Sequence, residues 1–197
     1  MEKVIVLATA NPSKIKEINE MMAGSGYVAR AFSELIGEVE IEENGITLEE
    51  NAEIKARYVS DATGLPALAD DTGLEVDALG GDPGVYSARY AGPGCSSEDN
   101  RKKLLEALSS YSDPKKRTAR FRTALAFIDG MVSRQFDGIC EGVITTEERG
   151  TGGFGYDPIF QPGGYSETFA EMDSGEKNRI SHRGRALEQF LAYLRSL

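Results

Sequence analysis

A short β-branched run, Lys3 to Leu7, opens the apolar pattern and reads as a buried strand ending in small residues. Asn11-Pro12 follows as a helix start, with Asn as N-cap and Pro at the first helical position. Ile15, Ile18 and Met22 then recur at helical spacing until Gly24, and Val28 to Phe32 forms a second strand. Thr47 and Glu50 carry a capping-box signature for a helix reaching about Asp61. Leu65 to Ala69 reads as a third strand that runs directly into Asp70-Asp71-Thr72-Gly73. Gly80 to Gly94 is an ordered loop with a short helix inside it, and Ser97 to Ser109 is an amphipathic helix. Arg120 to Ile128 and Gln135 to Ile144 pair around a turn near Asp129-Gly130. Gly150 to Gly164 is a second glycine-rich loop, in which Pro158 and Pro162 block helix. A last helix after Ser181 buries Leu187, Phe190, Leu191 and Leu194.

Strands alternating with helices in this way predict an α/β fold, a central mixed twisted sheet flanked by helices. The 197 residues are long for one domain and short for two, so residues 1–197 are expected to form a single domain, bilobal at most. A net charge of −10 argues against long nucleic acid or an anionic membrane as partner, because both need clustered positive charge. Two cysteines make neither a disulfide framework nor a four-ligand zinc site. No apolar run approaches the ~20 residues of a membrane span, so the expected location is the cytoplasm.

Four segments carry candidate chemistry. Thr9-Ala10-Asn11-Pro12-Ser13-Lys14 joins a strand end to a helix start, where α/β proteins bind ligands and backbone N–H groups favour anions. Lys14 sits at the wrong end of the helix dipole for a cation; either a bound phosphate removes that conflict or the side chain is simply solvated. Asp70 and Asp71 are adjacent on an extended segment, so they point to opposite faces and have different tasks. One can serve as metal ligand or base, with Glu42 or Glu43 as a second carboxylate, or the pair can build an Asx-type turn.

Gly150, Gly152 and Gly155 make a formal G-x-G-x-x-G, but Asp157-Pro158 follows where a dinucleotide site needs a helix. Phe154, between glycines, offers either a ring for a base to stack on or a core anchor. Lys177, Arg179, His182, Arg183 and Arg185 crowd the fourth segment, as a reader of anionic or carbonyl oxygens or as a solvated face. P-loop and nucleophile-elbow motifs are absent from the sequence, which removes most support for P-loop NTPase and serine hydrolase readings.

Taken together, the segments resemble the inosine triphosphate pyrophosphatase family, the XTP/dITP diphosphatases. The matching pieces are Thr9 to Lys14, Glu50-Asn51-Ala52, Lys55-Ala56-Arg57, Ala69 to Leu74, Leu79-Gly80-Gly81 and Pro83-Gly84. Tyr86 to Tyr90, Gly152 to Pro158, Glu176-Lys177-Asn178 and Ser181-His182-Arg183 complete the set. The resemblance implies Mg²⁺-dependent hydrolysis of ITP, dITP and XTP to monophosphate and pyrophosphate by a homodimer whose two lobes flank a cleft. It implies that Asp71 is the general base and a metal ligand, with Glu42 as the other metal carboxylate. Thr9, Ala10, Asn11, Pro12, Ser13, Lys14 and Thr72 would hold the triphosphate. Phe154, Gly155, Tyr156, Asp157, Lys177, His182 and Arg183 would bind the nucleoside. Two other readings stay open: a pyrophosphatase for a different modified nucleotide, on the similar fold of Maf-like proteins, and a nucleotide sensor that does not turn over.

Overall fold

In the computed structural model, which describes residues 3–197, the apolar opening run is strand β1 (Lys3–Leu7), and helix α1 (Pro12–Met22) follows it. The helix starts where the cap chemistry predicts: the Asn11 side chain accepts from the N–H groups of Ser13 and Lys14, with Pro12 at the first helical position. Strand β2 (Tyr27–Ala31) runs parallel to β1 and leads into a short helix, α2 (Ser33–Ile36).

Helix α3 (Leu48–Thr63) is capped by the Thr47 hydroxyl, which accepts from the Glu50 N–H at 3.1 Å. The reciprocal arm of the capping box reaches one residue earlier, because Glu50 accepts from the Ile46 N–H at 2.7 Å. Gly64, at φ 68°, ends the helix in the left-handed conformation.

Strand β3 (Ala67–Val76) starts two residues later and runs well beyond the expected Leu65 to Ala69. It passes straight through Asp70, Asp71, Thr72 and Gly73 and pairs antiparallel with β4 (Pro83–Gly84). Two features hold it extended: Asp70 finds buried cationic partners, and Gly73 lies against the Gly84 backbone, where a Cβ would stand 2.7 Å from the Gly84 carbonyl oxygen. Helix α4 (Ser97–Ala107) carries a complete capping box between Ser96 and Asp99.

Strands β5 (Thr118–Asp129) and β6 (Val132–Ile144) are neighbours joined by two residues, as a tight hairpin requires. The second glycine-rich segment is also more ordered than a loop. It holds a single 3-10 turn, Asp157–Ile159, and strand β7 (Phe160–Pro162), antiparallel to β6. Gly142 on β6 has no Cβ to meet the Phe160 ring, and that close approach lets β7 pair. Helices α5 (Ser174–Ile180) and α6 (His182–Arg195) end the chain.

The sheet is mixed, in the order β2-β1-β3-β5-β6-β7, with β4 on β3 and helices flanking it, so the α/β expectation stands. By chain contacts the protein divides into two units. The first comprises residues 1–71, 123–138 and 183–197; its core joins Ile5, Leu7, Ile18, Leu68, Phe127, Leu187 and Phe190. The second comprises residues 72–122 and 139–182; its core joins Leu74, Leu104, Phe121, Ile144, Ile159, Phe160 and Phe169. No helix among the described residues is long and apolar enough to cross a membrane.

Candidate active site

Alternation along β3 sends its two carboxylates to different partners. Asp70 has a side chain with no exposed surface, and its Oδ2 meets Lys14 Nζ at 3.0 Å and the Arg183 guanidinium at 3.0 and 3.1 Å. Arg183 also donates to Glu17 Oε2 at 2.6 Å. Burial alone would push the Asp70 carboxyl up, but Lys14, Arg183 and Lys55 outweigh it and hold it well below the usual carboxylate range. Lys14 is the reverse case. Burial is the larger influence on it and lowers its ammonium, with Asp70 opposing.

Asp71 turns instead to α3. Lys55 Nζ lies 3.1 Å from its Oδ1 and Asn51 Nδ2 lies 3.3 Å from its Oδ2. Lys55 also contacts Glu43 Oε1 at 3.2 Å, so one ammonium bridges two carboxylates. Burial raises the Asp71 carboxyl; Lys55 draws it back and Glu43 adds to the rise, and the net direction is upward. A raised pKa makes a carboxylate a stronger base.

Asn51 and Lys55 are one helical turn apart in the buried stripe that also contains Leu48, Ala52, Ala56 and Val59. Neither was singled out from the sequence as a site residue. The available signal was a lysine on an apolar face, which demands a charged partner. Glu42, the carboxylate expected at the metal, is exposed, and it is its neighbour Glu43 that reaches Lys55.

The segment from Thr9 to Lys14, expected to hold phosphate, forms the cap of α1. The N–H groups of Ser13 and Lys14 are taken by Asn11, and the Asn11 N–H donates to the Thr9 hydroxyl at 3.2 Å. Ala10, Asn11 and Pro12 are exposed, while Lys14 reaches inward to Asp70.

In the second unit Asp157 is the hub. Its Oδ2 accepts from the Phe154 N–H at 2.7 Å and from Lys177 Nζ at 2.8 Å. The Lys177 ammonium stands 4.7 Å from the centre of the half-buried Phe154 ring. Gly153, at φ 66°, lies so close to the Asp157 carboxylate that no side chain would fit there. Tyr156 is buried and donates its hydroxyl to the Ser87 carbonyl at 2.8 Å. The His182 ring stacks on Phe121 at 4.5 Å between centroids.

The charged run at residues 177–185 therefore divides into separate environments. Lys177, His182 and Arg183 are buried, whereas Arg179 and Arg185 are exposed. The sequence placed Arg183 with His182 at the nucleoside, yet its guanidinium is committed to Asp70 and Glu17. Adjacent residues at a helix start diverge by about 100° around the axis, which separates His182 from Arg183.

Fold and charge arrangement define the class: an α/β protein with carboxylates and lysines gathered beside parallel strands, where such folds bind anionic ligands. A family model described as the Ham1 family matches residues 5–193, and the chain belongs to that family. It is 49% identical over 193 residues to the dITP/XTP pyrophosphatase of Thioalkalivibrio sulfidiphilus, covering 96% of this chain and 97% of that protein. The dITP/XTP pyrophosphatase of Bacillus licheniformis is 48% identical over 193 residues, with 98% of each chain covered. A solved HAM1 protein from Coxiella burnetii superimposes with a TM-score of 0.89 at 43% identity, covering 99% of this chain and all of that one.

Proposed function

We propose that this protein hydrolyses deaminated purine nucleoside triphosphates, ITP, dITP and XTP, to the monophosphate and pyrophosphate. The observation that carries the reading is Asp71, a strand carboxylate with a raised pKa held by Lys55 and Asn51, in a chain nearly half identical to dITP/XTP pyrophosphatases over 193 residues. One family model running from residue 5 to 193 supports a single catalytic domain.

In this reading Asp71 takes a proton from the attacking water as the α–β phosphoanhydride breaks and pyrophosphate leaves. Lys14, with the Thr9 hydroxyl and Thr72, binds the triphosphate; Asp70 positions the Lys14 ammonium and Arg183 positions Asp70. Ala10 to Ser13 complete the phosphate segment. Phe154 to Asp157, Lys177 and His182 bind the nucleoside, and donors there favour a 6-oxo acceptor over a 6-amino donor.

The donor set suits Mg²⁺, which takes one or two carboxylates and fills its remaining positions with phosphate oxygens and water. Among the described residues no group of three or more His, Cys, Asp or Glu converges, and none is needed. Asp71 and Glu42 would hold the ion; Glu43, already on Lys55, is the alternative second carboxylate. When bound, Mg²⁺ neutralises phosphate charge. The family resemblance supports a cytoplasmic homodimer.

Product analysis tests the function. ITP and Mg²⁺ must yield IMP and pyrophosphate; IDP and free phosphate as products would refute it. Glu42→Gln and Glu43→Gln, each titrated with Mg²⁺, identify the metal carboxylate: the correct one raises the Mg²⁺ needed for half-maximal rate by about tenfold or more.

A further inference from the structure

The nucleoside loop is held from a side that its own residues do not supply. Arg101, on α4, donates from Nη1 to the Gly155 carbonyl at 2.9 Å and from Nε to Glu148 Oε1 at 2.9 Å. Its base is fixed, because the adjacent Asn100 is buried, accepts from the Ala91 N–H at 2.7 Å and donates to the Ala88 carbonyl at 3.1 Å. The capping box of Ser96 and Asp99 starts the helix immediately before them.

A trans peptide is planar, with its C=O and N–H pointing in opposite directions. Drawing the Gly155 carbonyl toward α4 therefore turns the Tyr156 N–H away from α4. That N–H has no acceptor among the described residues. Gly155, at φ 61°, can take either peptide orientation at little steric cost, so the arginine decides between them. The Tyr156 hydroxyl, tied to Ser87, holds the other end of the same residue.

We propose that Arg101 is a positioning residue for base recognition, fixing the Gly155–Tyr156 peptide so that its N–H is presented to an acceptor oxygen on the purine. The inference rests on the nucleotide reading of this loop.

Two measurements on the full chain test it separately. Hydrogen–deuterium exchange of the free protein reads the clamp without any substrate: Arg101→Ala should speed exchange across residues 153–157 by about tenfold, while Glu148→Gln, which keeps the Gly155 bond, should change it little. Steady-state kinetics then read recognition. Arg101→Ala should raise KM for ITP about tenfold with kcat within about twofold, and should narrow the ITP-to-ATP ratio of kcat/KM. Arg101→Lys, which can still donate to one carbonyl, should restore part of the ratio and serves if the alanine variant does not fold. Unchanged exchange in the Arg101 variants would overturn the proposal. So would an ITP-to-ATP ratio unchanged in a wild type that hydrolyses ITP. Faster exchange in a protein that hydrolyses no purine triphosphate would uphold the clamp and refute the nucleotide reading instead.

Discussion

Replacing Asp71 with Asn keeps the shape of the side chain and removes the proton acceptor. The expected result is a loss of kcat of about 10²-fold or more, with the thermal midpoint near that of the unaltered protein. The acid limb of kcat/KM should lie above the ~3.9 of a free aspartate, because burial raises the Asp71 carboxyl. Lys55→Met should move that limb further up, since Lys55 draws the value down; an unmoved limb in pH–rate profiles would contradict the assignment.

Asp70 predicts a different phenotype, seen in stability. Its folded pKa is depressed, so its contribution is complete above ~3.9 and is lost as pH falls through the lower folded value. Asp70→Asn leaves Lys14 without its anion and the buried Arg183 with Glu17 alone, and should cost about 3–5 kcal/mol at neutral pH. Urea midpoints of the two proteins should draw together as pH falls below about 4. A constant gap would contradict this.

What could be seen beforehand at this scale follows from range. The divergence of Asp70 and Asp71 comes from strand alternation, a local rule, and it was legible. The partners were not. Arg183 lies 113 residues from Asp70, and Lys55 lies 16 from Asp71, separations that no spacing rule spans.

Elements show the same division. Asn11-Pro12 and Thr47 specify their helix starts through bonds to residues two or three positions on, and both starts fall where the cap residues place them. Strand β3 escaped because Asp-Asp-Thr-Gly carries turn chemistry locally, and only buried cations and the Gly84 backbone hold it extended. Gly73→Ala tests that account. Its Cβ would press on the Gly84 carbonyl, so we expect a loss of about 1–3 kcal/mol in chemical denaturation. A neutral substitution would show that the β3–β4 approach is not tight. Strand β7 was missed for a similar reason, since its pairing depends on a glycine in β6 that has no local signature.

At the scale of the whole molecule, two cores with no residue in common support two units. The first holds Lys14, Asp70 and Asp71, and the second holds Phe154, Asp157, Lys177 and His182. Light scattering should give about twice the chain mass of 21.4 kDa if the homodimer reading is right, and a single chain mass would remove it.

In the proposed function this protein sorts purine triphosphates by the 6-position and cleaves them with Asp71. Pyrophosphate release measured side by side for ITP, XTP and ATP, with Mg²⁺, tests it most directly. We expect kcat/KM for ITP and XTP at least about 10²-fold above ATP, with all three rates collapsing in Asp71→Asn. Equal rates on ATP, or an Asp71→Asn protein as active as the original, would contradict it.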